Sequence, residues 1–428
     1  MKTLISLLIL GVIIIPGGTT QLDHMFSLYI FGRYLHILEL FYVIILLLWL
    51  LGLLSGKFKI VKSKLNLPLI IWYLYLTVSI SIGVLNFNSF KYIASDFRAL
   101  AYYSIYFLII SVIKSPKYGK TFCKILIFAM FIYSVQITSV FIFKNYFLAN
   151  FMQESYRIGF GTGALTVITV PLLFALIYYS PARFNKILYA VVSIPLIFQC
   201  IVSQARVLWV SVPLSLVTLF FTILWLERPK IPLLIKKVVS LFVLSFLVIL
   251  VVRYTMFLLL GDSGVQYILS RFHTIRYISE TGSFRIRSQD YNYAINMISK
   301  APFLGGGLGA PFFTHTEGLE GLYVDNSYLT LLRKTGIVGL FLFFWVMSIF
   351  IRKLMYAAKN LNNIESPFSK ALVVTLLSAL PGFFVVTLLS SCLTHYRITF
   401  IFGAIMAIVE ILGKSVEQNR NNMLTSDR

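Results

Sequence analysis

The chain consists largely of apolar blocks that are long enough to cross a membrane, and this pattern constrains its fold more than any other feature. A helix needs about 20 mainly apolar residues to span the hydrocarbon core of a bilayer. The blocks lie at approximately 3–17, 35–54, 67–86, 97–113, 122–143, 160–180, 185–204, 207–226, 233–252, 327–351, 369–389 and 393–412. We therefore predict an all-α, polytopic membrane protein with about 12 transmembrane helices.

Composition supports this class and excludes others. The chain is 59% hydrophobic and 12% charged, and its net charge is +22. Much of the positive charge lies in connections that flank the apolar blocks, as the positive-inside rule requires, so nucleic acid is not an expected partner. The three cysteines form neither a disulfide framework nor a metal-ligand spacing.

The first block, 3–17, has a second interpretation. Its sequence, with Lys2 as the charged flank, also resembles a signal peptide. No A-x-A-like cleavage site follows, so we treat the block as a membrane span.

The distribution of Lys and Arg predicts the orientation. Alternate connections are basic: those around Lys57–Lys64, Lys114–Lys124, Arg183–Lys186, Arg228–Lys237 and Arg352–Lys359. An even number of spans then places both termini of this multi-pass protein in the cytoplasm. We divide the chain into transmembrane helices 1–9 (1–252), a large extracytoplasmic loop (253–325), transmembrane helices 10–12 (326–413) and a disordered cytoplasmic tail (414–428).

The large loop is the one long connection among short ones, which indicates a function. Within it, residues 284–300 have a helical pattern that ends before Ala301-Pro302. A helical wheel puts Arg287 in the middle of an apolar side and Arg285, Asn292 and Asn296 on the polar side. The apolar side consists of Phe284, Tyr291, Ala294, Ile295 and Ile298. A charge in that position must meet an anion or line a polar cleft. The alternative is that Arg287 extends to a loop carbonyl or a surface carboxylate.

Other ionisable residues lie at the predicted outer ends of spans, where such groups are functional candidates. They are Asp96 and Arg98 before span 4, Arg157 before span 6, Arg206 between spans 7 and 8, and His395 and Arg397 at span 12. Asp96 and Arg98 also fit a local pair at a helix start. Arg206 is the more informative, because the short turn between two spans needs no cation.

Motifs of soluble enzymes are missing from the sequence, including the P-loop, H-E-x-x-H and G-x-S-x-G, and no D-x-D pair could hold a metal–pyrophosphate. We expect no cofactor and no metal. What remains is a set of arginines, which suit diphosphate recognition, together with a glycine run at 305–309 and Asp325. The glycine run alone is typical of a flexible turn, and Asp325 could cap the helix that Asn326-Ser327 opens.

Taken in order, these residues resemble a known family. The chain contains, in order, Arg287-x-x-x-Tyr291-x-x-Ala294, Pro302-Phe-Leu-Gly-Gly-Gly-Leu-Gly309, Asp325-Asn326-Ser-Tyr-Leu and Gly336-Ile-Val-Gly339. These four segments are similar, in the same order, to four motifs of the O-antigen polymerase and O-antigen ligase family. The family motifs are R-x-x-x-W-x-x-A, P-x-x-G-x-G-x-G, H-N-x-x-L and G-x-x-G. Ser-Gln-Ala-Arg206 and Asp96-Phe-Arg98 resemble its S-x-S-R and D-x-R. Tyr291 stands where Trp is common, and Asp325 stands where the ligases carry His.

The resemblance implies a metal-independent membrane glycosyltransferase that polymerises oligosaccharide repeat units, linked to undecaprenyl diphosphate, into O-antigen or capsular polysaccharide. It would act on the outer face of the bacterial cytoplasmic (inner) membrane. Its partners would be that lipid-linked oligosaccharide, membrane lipids and a regulator of chain length. Asp325, Arg206 and Arg287 would be catalytic: Asp325 as the base, the arginines on the diphosphate. Substrate-binding residues would be Arg285, Arg157, Tyr291, Asn326, Gly307 and Gly309.

Three alternatives stay open. A ligase would transfer the glycan to the lipid A core, but the Asp at position 325 argues against a histidine base. A transporter of lipid-linked sugar would be expected to show repeat symmetry and ionisable groups at mid-membrane. A membrane sensor that binds a sugar would tolerate loss of Asp325 and the arginines.

Overall fold

A computed structural model describes residues 1–15, 27–30, 33–147, 160–203, 205–227, 250, 254, 257, 282–313, 320–321 and 323–426. The described helices are α1 (Lys2–Ile14), α2 (Ile37–Leu54), α3 (Asn66–Leu85), α4 (Phe90–Ala101), α5 (Ile105–Val112), α6 (Tyr118–Phe147), α7 (Phe160–Gly163), α8 (Thr166–Tyr179), α9 (Arg183–Val202), α10 (Arg206–Glu227), α11 (Gly282–Lys300), α12 (Ser327–Lys359), α13 (Pro367–Leu389) and α14 (Tyr396–Ser426).

The polytopic all-α class is confirmed. Nine stretches within the described residues are helical, long and apolar enough to cross a membrane, and α1 and α8 are shorter apolar helices. Each corresponds to one of the predicted spans. The remaining predicted span, 233–252, lies almost entirely outside the described residues. The described strands form two short antiparallel hairpins, β1 (Ser27–Ile30) with β2 (Arg33–His36) and β3 (Phe312–Phe313) with β4 (Glu320–Gly321).

Helix α14 forms the centre of the bundle, because 83% of its most apolar window is buried. It packs against α5, α12 and the 3₁₀ turn Tyr102–Ser104, which divides predicted span 4 into α4 and α5. A second group is formed by α13, which packs against α10 and α8. Helix α1 packs against α6 and α2, with Ile5, Leu8 and Ile9 fully buried. Its length of 13 residues is short for a membrane span.

The predicted disordered tail differs from the structure, in which α14 continues to Ser426. Neither Gly nor Pro follows Gly413, so no residue there breaks the helix. Two contacts beyond Gly413 hold the extension: Lys414 Nζ donates to the Lys62 carbonyl at 2.5 Å, and Asn419 Nδ2 donates to the Asn363 carbonyl at 3.2 Å.

Helix α12 is interrupted at Gly336, whose φ of 63° and ψ of −174° are not helical. The interruption leaves the amides of the next residues without their usual acceptors inside the helix. The segment that follows α11 supplies the replacements: the Pro302 carbonyl accepts from Ile337 N–H at 2.9 Å, and the Phe303 carbonyl from Val338 N–H at 3.3 Å. The segment 301–310, which we call the glycine loop, is therefore inserted against the interrupted turn of α12.

Candidate functional site

Two of the predicted catalytic residues lie in contact. Helix α11 packs against α12, and both Nε and Nη2 of Arg287 lie 3.2 Å from Oδ2 of Asp325. The side chains are 29% and 49% exposed, respectively. Since exposed ion pairs of this kind contribute little to stability, the pair stays accessible to a ligand without supporting the fold. The contact agrees with both interpretations of Arg287 given by the sequence.

Tyr291 lies one helical turn beyond Arg287 and fixes the position of α11. Its hydroxyl donates to the carbonyl of Asp325 at 2.9 Å and lies 3.4 Å from the carbonyl of Leu388, at the end of α13. Burial raises the pKa of Tyr291 above its usual value, so the hydroxyl stays protonated and remains a donor. Tyr291 thus connects α11 to the start of α12 and the end of α13.

The wheel is correct for the polar side of α11 and partly wrong for the apolar side. Arg285, Asn292 and Asn296 are exposed, as expected, and the helix ends at Lys300. Ile295, expected on the apolar side, is 52% exposed. The buried face is centred instead on Ala294, which packs with Phe312 and Val324.

Asn326, and not Asp325, caps helix α12. The Asn326 Oδ1 atom accepts from the amides of Tyr328 at 2.9 Å and Leu329 at 3.0 Å. This is the usual N-cap arrangement, in which a side-chain oxygen satisfies amides of the first turn. Asp325 is consequently free of the capping role that the sequence allowed for it.

Arg206 begins α10 and lies at the same end of the bundle. Helices α10 and α13 are antiparallel neighbours, since Thr218 Oγ1 contacts the Ser378 carbonyl and the Ser215 side chain lies against Gly382. This register brings the start of α10 to the end of α13 that carries Leu388. Arg157 lies outside the described residues.

The glycine loop is held by its own backbone. Amides of Gly306, Leu308 and Gly309 donate to the carbonyls of Arg333 and Ser79 and to Oδ2 of Asp96, at 2.8, 3.0 and 2.7 Å. A Cβ atom at Gly307 would lie 2.2 Å from the Gly83 nitrogen. These contacts give the loop a packing role between α3, α4 and α12; substrate contact by Gly307 and Gly309 stays a prediction.

A buried ion pair lies beneath the loop and was not found from the sequence. Lys334 Nζ lies 2.6 Å from Oδ1 of Asp96, and the two side chains are 2% and 3% exposed. Asp96 therefore binds the loop with one oxygen and α12 with the other. It does not form a local pair with Arg98, which instead lies 2.5 Å from Glu39. The available signal was the Arg333-Lys334 pair inside an apolar span.

The connection between α13 and α14 brings two further predicted residues to this end. Ser327 Oγ donates to the Ser390 carbonyl at 2.7 Å and accepts from the Leu393 amide at 3.1 Å. His395 and Arg397 follow directly. Burial, and then Arg397 and Arg98, lowers the pKa of His395 to about 4, so its imidazole is neutral at pH 7. Its Nδ1 is buried and has no hydrogen-bond partner in the described structure.

Within the described ranges, no group of three His, Cys, Asp or Glu side chains is placed to hold a metal ion. The contact of Asp325 with Arg287 places a carboxylate beside a guanidinium at one end of the helical bundle. Such a combination can accept a proton and bind an oxyanion.

The fold and this site define a multi-pass membrane protein with a polar, arginine-containing site at one end of its helical bundle. Residues 191–344 match the family model described as O-antigen ligase. This range runs from the second half of α9 through α10, α11 and the glycine loop to the first half of α12. Over these residues the chain is similar to the O-antigen ligase and polymerase family, whose members are enzymes that act on glycans. A search of curated proteins gave no significant match.

Proposed function

We propose that the protein is a glycosyltransferase that polymerises oligosaccharide repeat units carried on undecaprenyl diphosphate, on the outer face of the bacterial cytoplasmic membrane. The observation that carries the proposal is the contact of Arg287 with Asp325. Two motifs separated by 38 positions supply one cation and one carboxylate to the same place, and Tyr291 fixes both. The family match supports the coarser statement, a ligase or polymerase activity in polysaccharide biosynthesis.

In the proposed reaction, a hydroxyl oxygen of the acceptor repeat unit attacks the anomeric carbon of the donor glycan. The bond from that carbon to the diphosphate oxygen breaks, and the lipid diphosphate leaves. Asp325 accepts the hydroxyl proton. Arg287, with Arg206 from α10, stabilises the charge that develops on the leaving diphosphate. Since the lipid already carries the activated sugar, no ATP is required.

The Arg287–Asp325 contact suggests how the two roles are coupled. A bound diphosphate would compete with Asp325 for the guanidinium group, because both present oxygen atoms suited to it. Donor binding would then release the carboxylate to act as the base. Arg285, which is exposed and lies two residues earlier on the opposite side of α11, would contribute only long-range attraction to the donor.

A ligase is the second candidate, favoured by the description of the matching family. It would transfer the finished glycan to the lipid A core. We place it second because Asp325 occupies the position at which the ligases carry His.

Deletion and complementation in the source bacterium test the proposal. We expect deletion to leave single repeat units on the final acceptor and no long chains. Arg287→Ala should fail to restore polymer, because loss of one transition-state contact costs about 3 kcal/mol, or roughly 100-fold in rate. Arg285→Ala is the matched control on the same helix and should restore it.

Glycan electrophoresis and immunoblotting of the membrane fraction measure polymer length and protein insertion. If long lipid-linked chains accumulate and the acceptor carries no glycan, the ligase is correct and the polymerase is not. Equal loss in Arg287→Ala and Arg285→Ala would contradict the assigned role of Arg287.

A further inference from the structure

Arg397, the second residue of α14, is a buried guanidinium group with an unfilled donor. The residue is 2% exposed. Its Nη1 donates to Thr162 Oγ1 at 3.2 Å, and its Nε donates to the Tyr396 hydroxyl at 2.9 Å. Its Nη2 is buried and has no hydrogen-bond partner in the described part of the chain.

Arg397 differs from three other cations at this end in having no carboxylate partner among the described residues. Lys334 pairs with Asp96, Arg287 with Asp325 and Arg98 with Glu39, whereas no ion pair to Arg397 is present among the described residues. A guanidinium group stays charged in proteins. Burial of such a charge costs several kcal/mol unless a counter-charge compensates it. A hydroxyl and a phenol are neutral, so none of the described partners of Arg397 compensates its charge, and an anionic ligand would do so.

Gln199, near the end of α9, provides a second observation at the same place. It is fully buried, and both its Oε1 and its Nε2 have no partner in the described structure. A Cβ atom built on Gly163 would lie 3.2 Å from this Nε2, so Gln199 and Arg397 approach the adjacent residues Gly163 and Thr162. A buried amide without partners is costly in a helical bundle. Its donor suits a phosphate oxygen, and its acceptor suits a sugar hydroxyl.

Arg397 and Gln199 lie at the end of the bundle that carries the candidate site. Leu393, four residues before Arg397, donates its amide to Ser327 in the first turn of α12. Gln199 lies on the helix that leads directly into Arg206. The pair of Arg397 and Gln199 is therefore linked to the candidate site through the α13–α14 connection and through the step from α9 to α10.

We propose that Arg397 and Gln199 form a buried anion subsite that binds a phosphate oxygen of the lipid-linked sugar, with Gln199 also contacting the adjoining sugar. The identity of this ligand rests on the proposed function. Phosphate chemistry is also present in phospholipid headgroups, so the experiment must separate the two sources. Arg397 is assigned to binding and not to proton transfer.

The test is a binding measurement on the full-length protein in phosphatidylcholine nanodiscs, with farnesyl diphosphate as the probe. The upward shift of the unfolding temperature with probe concentration gives an apparent Kd. Arg397→Gln should raise that Kd roughly 10-fold or more, since a hydrogen bond to a charged group is lost. Arg98→Gln, which changes a cation that also lies over Tyr396, is the matched control and should change it about twofold or less.

Gln199→Leu keeps the test informative if Arg397→Gln does not fold. Because the amide of Gln199 has no partner among the described residues, its replacement by an apolar side chain of similar size should keep or raise the unfolding temperature without probe. The same substitution should weaken probe binding. Weaker binding together with undiminished stability is not expected of a residue with a purely structural role.

Each result has a defined meaning. An unchanged Kd in Arg397→Gln, or in Gln199→Leu if the first does not fold, would overturn the subsite. Arg397-dependent stabilisation by phosphatidylglycerol but not by farnesyl diphosphate would overturn its assignment to the lipid-linked sugar. The measurement needs no turnover, so failure here would leave the polymerase proposal intact, because that proposal depends on Arg287 and Asp325.

Discussion

Charged side chains at the end of the bundle that carries the candidate site fall into two groups that differ in exposure. The Arg287–Asp325 pair is partly exposed, whereas the Asp96–Lys334 pair is buried. Exposed pairs contribute about 0–1 kcal/mol to stability, while removal of one partner from a buried pair is strongly destabilising, by about 3–5 kcal/mol. Substitutions should therefore separate catalysis from folding at this end of the protein.

Asp325→Asn is the most direct test of the base. The carboxylate neither caps α12 nor is buried, so we expect normal membrane insertion and an unfolding temperature close to that of the wild type. Activity should nearly vanish, because an amide cannot accept the proton of the attacking hydroxyl. Chain extension of lipid-linked repeat units by purified protein measures this.

Asn326→Ala is the matched control at the neighbouring position. It removes the N-cap and should cost about 1 kcal/mol of stability. If Asp325→Asn forms polymer at a near-normal rate, the base lies elsewhere. His315 and His273 are then the first residues to test, both outside the described ranges, followed by His395, which is neutral at pH 7.

At the scale of elements, the two glycine motifs form one structure. The glycine loop supplies acceptors to the amides that Gly336 leaves unpaired in α12, and Asp96 of α4 holds the loop from the other side. Non-helical backbone is tolerated between the helices of a membrane protein where protein surrounds it. The run at 305–309 is thus a packed insertion between helices, unlike the flexible turn that glycine-rich sequence ordinarily indicates.

Gly336→Ala should displace the glycine loop. Its φ is +63°, and a Cβ atom there would lie 2.1 Å from the Phe303 carbonyl oxygen. Backbone strain together with overpacking predicts a loss on the order of 3 kcal/mol. Gly56 is the matched control, because its φ is +71° and nothing lies within 4 Å of its Cβ position. Gly56→Ala should cost only about 1–2 kcal/mol. Thermal unfolding in detergent compares the two, and equal losses would contradict the packing described for the loop.

The sequence predicted local features of this region well and long-range contacts poorly. The end of α11 at Lys300 follows from Ala301-Pro302, and the exposure of Arg285 follows from helical periodicity. The pairing of Asp96 with Lys334 spans 238 positions, and no local pattern encodes it. The cap shows the same limit, because Asp and Asn are almost equally good N-cap residues and only the structure assigns the role to Asn326.

For the whole molecule, hydropathy was sufficient to define the class. Each of the helices long enough to cross a membrane, and both shorter apolar helices, coincides with a predicted block. Hydropathy could not predict the breaks at Tyr102–Ser104 and Gly336, because they arise from packing between helices that are distant in sequence.

Orientation is the remaining prediction at this scale. The alternation of basic connections predicts that a reporter fused after Gly264 or Gly318 lies outside the cell membrane, and that one fused after Lys62 or Lys359 lies in the cytoplasm. Alkaline phosphatase and green fluorescent protein fusions measure the two sides. A cytoplasmic position for both loop fusions would place the site on the wrong face for a lipid-linked glycan and would contradict the proposed function.

The glycine loop also constrains the order in which the protein can assemble. Its contacts on one side, Ser79, Gly83 and Asp96, are synthesised more than 200 residues before it, and Lys334 follows it. The carboxylate of Asp96 is therefore inserted with α4 before its basic partner, Lys334 of α12, has been synthesised. Because domains and spans emerge from the N-terminus first, the support of the site forms only when about three quarters of the chain has been made. A protein truncated before α12 would contain most of the spans and the glycine loop itself. It would lack the contacts with α12 that hold the loop in place.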